Sequence, residues 1–122
     1  MNWTTLVIIA VVVAIFLARA RAGQISAKDA SAYLKNGALV IDVRTSGEFN
    51  SGHLAGAVNL PLDGIEAAVA QRVKDKSQVL LLHCASGVRS GLAQKKLIAL
   101  GYPNTFNLGS YRRAEGILRS AR

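Results

Sequence analysis

The stretch "QVLLLHCASGVRSGLAQKKLIAL", residues 78–100, decides how the chain is read. It opens with an apolar run that shows no alternation, the pattern of a strand covered on both faces. It closes with "SGLAQKKLIAL" (90–100), where Leu92, Leu97 and Leu100 recur with Ala93 between them, as on an amphipathic helix that Gly101 ends. Between strand and helix lies Cys84, the chain's only cysteine, followed by Ala85-Ser86-Gly87-Val88-Arg89. Gly87 permits a tight curve that turns successive N–H groups toward one point. The helix beginning near Ser90 adds its positive N-terminal end. With the fixed charge of Arg89, all three features favour a thiolate, so the thiol pKa of Cys84 is expected to be lowered. The bland alternative is a cysteine that fills the core as a small hydrophobe.

Working outward, the same alternation of strand and helix recurs. Ser26 and Asp29 form a capping pattern before a helix over 27–35, which Asn36-Gly37 ends. "ALVIDV" (38–43) reads as a buried strand. Residues 44–57 read as a loop with one helical turn, and 57–62 as a short extended piece stopped at Pro61. Ile65, Val69 and Val73 share one helix face. "TFNL" (105–108) is a third strand, and "YRRAEGILRSA" a terminal helix. Strands alternating with helices predict an α/β domain on a parallel sheet with right-handed crossovers. In such sheets ligands bind at the carboxyl ends of strands, which is where Cys84 falls.

The N-terminus is different in kind. From Trp3 to Ala18, "WTTLVIIAVVVAIFLA" carries no charge, and as a helix it spans about 24 Å against a bilayer core of about 30 Å. It is apolar all round, so the expectation is a single transmembrane anchor (1–18), a linker (19–25) and one domain (26–122). Arg19 and Arg21 follow the segment and none precedes it, which predicts the domain on the cytoplasmic side. A cleaved signal peptide, with Ala20-Arg21-Ala22 as its site, would instead make the domain periplasmic or secreted.

Composition narrows the function. The net charge of +8 suits an anionic membrane surface or small anionic substrates. Nucleic-acid binding is not expected, because no aromatics interleave with the basic residues and no long basic run exists. One cysteine and two histidines, His53 and His83, make neither a disulfide nor a zinc cluster, and no metal or other cofactor is expected.

"CASGVRS" (84–90) resembles the active-site loop of rhodanese-type sulfurtransferases, the single-domain thiosulfate sulfurtransferase type. "VIDVRTSGEFNSGHLAGAVNLPL" (40–62) resembles that family's upstream signature, through Asp42-Val43-Arg44, Glu48-Phe49 and Gly52-His53-Leu54-x-Gly56-Ala57. The resemblance covers about 25–120. It implies a five-stranded parallel sheet flanked by helices. It also implies that Cys84 takes sulfane sulfur from an anionic donor such as thiosulfate and passes it from a persulfide to a thiol, cyanide or protein acceptor. The amides of Ala85, Ser86, Gly87, Val88, Arg89 and Ser90, with the Arg89 side chain, would bind the substrate anion.

Asp42, Arg44, Glu48 and His53 read as supports rather than reacting groups. His83 adjoins the cysteine but points to the other face of its strand, so it is a poor general base. The family often ends with a Gly-Gly pair and a tryptophan; here Gly109-Ser110-Tyr111-Arg112-Arg113 stands in that place, and Arg112 or Arg113 could offer charge to a substrate. Two rivals stay open. A cysteine-dependent phosphatase or arsenate reductase uses a similar loop, but tyrosine-phosphatase-like enzymes put five residues between Cys and Arg, and four stand here. A non-enzymatic persulfide carrier or binding module would have the same sequence.

Overall fold

The computed structural model describes residues 2–121, and for 17–22 the backbone alone. Helix α1 (Trp3–Ala22) leads into α2 (Ala27–Lys35), β1 (Leu39–Asp42), α3 (Ser46–Ser51), β2 (Val58–Asn59), α4 (Ile65–Arg72), β3 (Leu80–His83), α5 (Val88–Leu100), β4 (Thr105–Gly109) and α6 (Tyr111–Ala121). The sheet is parallel throughout, in the order β2-β1-β3-β4.

The expected fifth strand is reduced to one isolated bridge, Gln24 to Asn107 on the free edge of β4. The Ile25 N–H extends that contact to the Asn107 carbonyl at 2.9 Å, and α2 starts two residues later. With α1 running to Ala22, too little chain lies between the two helices for a longer edge strand. The stretch read as a linker is therefore helix at its start and sheet edge at its end.

Side chains alternate across the sheet, so each strand feeds two layers. Ile41, Leu80 and Leu82 pack with Ile65, Val69, Ala93, Leu97 and Tyr102 under α4 and α5. Val40, Leu81 and Leu108 pack with Ala30, Ala114, Ile117 and Leu118 under α2 and α6. That two-sided burial is why 78–83 reads as an unbroken apolar run. Cys84 continues the α4/α5 side, beside Val43 and Leu82. Ser26 caps α2, its Oγ accepting the Asp29 N–H at 3.1 Å.

Helix α5 starts at Val88, two residues before the expected position, so the arginine lies in its first turn. Its buried stripe is Ser90, Ala93 and Leu97. Leu92 and Leu100 were expected inward and are instead exposed, at 48 % and 38 %. Leu92 and Leu97 are five residues apart, about 140° around a helix, so they cannot share a face.

Helix α1 exposes Trp3, Leu6, Ile8, Ile15, Phe16 and the other large apolar side chains described between 3 and 16. Among the described residues no helix is long and apolar enough to cross a membrane, so the expected transmembrane helix is not shown. The stretch with described side chains, 3–16, spans about 21 Å against a bilayer core of about 30 Å.

Candidate active site

The carboxyl end of β3 delivers a buried thiol, and the chain then wraps around it. Cys84 is 0 % exposed. Its Sγ accepts the N–H of Gly87 at 3.0 Å and of Ser90 at 3.4 Å, and the Ser90 hydroxyl lies 3.4 Å away. That hydroxyl also reaches the Gly87 carbonyl at 3.2 Å, so it can rotate between the carbonyl and the sulfur. Burial alone pushes the thiol pKa up. The Ser90 hydroxyl and the N–H groups of Ser90, Gly87 and Ser86 outweigh that effect, and the net shift is downward. The bland reading of Cys84 as core filler does not account for donors converging on its sulfur.

Two glycines make the wrap possible. Gly87 has φ +98° and stands at the N-cap of α5. A Cβ there would lie 3.1 Å from Gln24 Nε2 and 3.2 Å from Gly109 Cα. Gly109 has φ +95°, and a Cβ on it would lie 2.8 Å from the same Gln24 nitrogen. The Gly109 carbonyl accepts the Cys84 N–H at 3.3 Å, Ser110 bridges to Ser86, and the Tyr111 N–H binds the Ala85 carbonyl at 3.3 Å. The Gly-Ser-Tyr stretch that departs from the family pattern thus closes one side of the loop.

Arg89 is not free. Its Nη1 and Nη2 donate to Glu48 Oε1 at 2.6 Å and Oε2 at 3.0 Å, with both side chains about one-third exposed. The Arg89 hydrogen bonds, helped by the Thr45 N–H, lower the Glu48 pKa to about 2. Thr45 and Glu48 also form the capping box of α3. The positive charge expected for a substrate is already balanced by a carboxylate.

The other upstream residues act as supports. Asp42 and Arg44 pair as expected, Arg44 Nη2 donating to Asp42 Oδ2 at 2.7 Å, and the guanidinium lies 4.8 Å from the Tyr111 ring centroid. His53 stacks on Phe49, with Nδ1 2.9 Å from the Phe49 carbonyl oxygen. His83 is fully buried on the face opposite the thiol, edge-on to Tyr111. Neither ring nitrogen has a hydrogen-bond partner, and Asp42 Oδ2 is 4.0 Å from Nε2. Burial lowers its pKa. Arg113 spends its guanidinium on the carbonyls of Leu108 and Ile25, so of the pair Arg112 and Arg113 only Arg112 is exposed.

Of the predicted site residues, Ser86, Gly87 and Ser90 act on the sulfur through their amides. Ala85 uses its carbonyl on Tyr111, and Val88 and Arg89 form the first turn of α5. Sequence reasoning missed Asn107, whose side chain donates to the Gly87 carbonyl at 3.1 Å and accepts the Gly109 N–H at 2.8 Å. A polar residue inside the apolar strand "TFNL" was the available signal. The Ser90 hydroxyl and Gln24 were missed as well.

A parallel α/β sheet here ends a strand in a thiol held by loop amides at a helix N-terminus, an arrangement that favours the thiolate. The chain belongs to the rhodanese-like domain family, whose model matches residues 26–113. It is 33 % identical over 72 residues to the thiosulfate sulfurtransferase PspE of Escherichia coli K12, covering 59 % of this chain and 69 % of that protein. The human single-domain sulfurtransferase TSTD1 superposes with a TM-score of 0.63 at 26 % identity, over 75 % of this chain and 94 % of that one. A rhodanese from E. coli, solved with anions, superposes with a TM-score of 0.61 at 31 % identity, over 63 % and 91 %.

Proposed function

We propose that this chain is a rhodanese-type sulfurtransferase that carries sulfane sulfur on Cys84. The observation that carries the reading is the convergence of the Gly87 and Ser90 N–H groups on a buried sulfur whose pKa is lowered. With thiosulfate as donor, the Cys84 thiolate attacks the outer sulfur. The Sγ–S bond forms, the donor's S–S bond breaks, and sulfite leaves with the electron pair. A thiolate or cyanide then attacks the terminal sulfur of the persulfide. The new bond to the acceptor forms, the bond to Sγ breaks, and the thiolate is restored. Oriented amides need no reorganisation to stabilise negative charge in either step. No general base is required once the thiol is ionised.

The phosphatase alternative fits less well. Arg89 is bound to Glu48 by both terminal nitrogens, and Asp42 is fully buried in its pair with Arg44. The deciding experiment is the intact mass of the protein after thiosulfate, beside Cys84→Ser. A gain of one sulfur atom, lost on adding cyanide and absent from the variant, is the expected result. No gain, with turnover of a phosphate ester or arsenate, overturns the reading.

We also propose that α1 attaches the domain to a membrane, with the domain on the cytoplasmic side. Its exposed apolar side chains on every face, and the arginines that follow them in sequence, support this. Protease added outside intact cells should leave the domain uncut; complete digestion there would place it on the other side.

A further inference from the structure

Phe16 is the last α1 residue whose side chain is described, and it does not stand apart from the domain. It lines a cavity of about 350 Å³ with Gln24, Ser86, Val88, Leu92 and Lys95. Ser86 belongs to the loop around Cys84, and Val88 opens α5. Val88 and Leu92 are 52 % and 48 % exposed, one helical turn apart, on the side of α5 that faces this cavity. Lys95, one position short of a further turn, is exposed and has no acidic partner among the described residues. Phe16 of α1 and Val88 and Leu92 of α5 thus border one cavity, and the cation Lys95 is among its lining residues.

We propose that this α5 face is a membrane-contact surface: Val88 and Leu92 rest in the headgroup zone of an anionic bilayer, with Lys95 against its phosphates. The proposal rests on the reading of α1 as a membrane helix and goes beyond it. A tether alone fixes only the distance of the domain from the bilayer. Here Phe16 of α1 shares a cavity with Ser86 and Gly87 of the catalytic loop, so the medium that surrounds this part of α1 also reaches α5. The occupant follows from chemistry. Half-exposed valine and leucine gain by leaving water, and a basic side chain beside them is attracted to anionic headgroups. The catalytic loop then opens at the membrane surface rather than toward bulk solvent, and sulfur exchange takes place there.

The test uses the full chain in vesicles of phosphatidylcholine and phosphatidylglycerol with nitroxide-labelled headgroups in both leaflets. Trp3, the only tryptophan, reports on α1. A fluorophore on Leu92→Cys, in a Cys84→Ser background, reports on α5. The same fluorophore on Lys35→Cys, beside Leu39 at the opposite end of the sheet, serves as reference. Quenching of Trp3 and of position 92, with none at position 35, is expected. Quenching of Trp3 with position 92 as bright as position 35 overturns the α5 contact and leaves the anchor standing. No quenching at any position overturns both. Self-quenching at position 92 without nitroxide lipid would show that a second copy covers this face instead. As a check by another readout, quenching at position 92 should weaken when Lys95→Glu is added or phosphatidylglycerol is left out of the vesicles, while quenching of Trp3 is unchanged; unaltered quenching at position 92 would count against the contact.

Discussion

Glu48 grips Arg89 through both carboxylate oxygens, at 2.6 and 3.0 Å, across 41 residues of sequence. The pair ties the first turn of α5 to the N-terminal turn of α3 and neutralises the one cation of the catalytic loop. Removing either partner alone therefore exposes the other's charge. Arg89→Ala leaves the Glu48 carboxylate unopposed beside the first turn of α5, and the KM for thiosulfate should rise several-fold. Adding Glu48→Gln should recover most of that loss. Steady-state kinetics of the two single variants and the double variant form the cycle that checks it. Equal KM values in Arg89→Ala and the double variant would show that the carboxylate has no influence on the donor.

The Ser90 hydroxyl is the only side-chain donor within reach of the Cys84 sulfur among the described residues. A hydrogen bond to a charged group stabilises that charge, so Ser90→Ala should raise the Cys84 pKa. The amides of Gly87, Ser90 and Ser86 would hold the rest of the shift. Thiolate absorbance against pH, or the pH dependence of iodoacetamide alkylation, reads this directly. An unmoved midpoint would assign the whole shift to the amides.

Gly87 needs its missing side chain twice, for its left-handed backbone and for the space that Gln24 and Gly109 occupy. The backbone strain alone costs roughly 1–2 kcal/mol for a residue with a Cβ. Gly87→Ala should lower stability by at least that much and raise the Cys84 pKa, because the Gly87 N–H would no longer aim at the sulfur. Gly116 has φ outside the left-handed region and open space where its Cβ would be. In the middle of α6, Gly116→Ala should stabilise by about 0.5–1 kcal/mol. Urea unfolding of both variants checks the contrast.

What the sequence revealed was what neighbours decide. Helix α2 has its cap within three residues, and α6 spans the expected 111–121 because its apolar period is local. The thiol loop was legible because strand, cysteine, glycine and helix follow one another without a gap. Pairings between distant segments were not legible. Glu48 meets Arg89, and Gln24 meets Gly87 and Gly109, only once the sheet has formed. The fifth strand was implied by the family resemblance and not by the residues, and the chain has a single bridge from Gln24 in its place. Leu92 misled because hydrophobicity was read as burial, whereas the helical angle sets it on another side from Leu97.

His83 should make the domain sensitive to acid. Burial is the main cause of its lowered pKa; the Asp42 carboxylate, 4.0 Å away, opposes the shift but is already engaged by Arg44. In the unfolded chain the ring takes a proton near pH 6.5, while in the folded chain it stays neutral to lower pH. Between those two values the unfolded state binds more protons, so stability falls as pH falls. The slope can approach about 1.4 kcal/mol per pH unit for one histidine. Glu48, with its pKa of about 2, acts in the same direction but only below the ordinary carboxylate range, outside this window. His53 is exposed, so the buried ring is the one to remove. Urea midpoints at pH 7.0 and 5.0 should therefore differ clearly in the native sequence and much less in His83→Leu, which fills the same space with no titrating group. Equal losses in both proteins would mean that the acid sensitivity arises elsewhere. Persulfide formation by His83→Leu at pH 7 should survive, because the ring lies across the sheet from Cys84 and takes no part in moving sulfur.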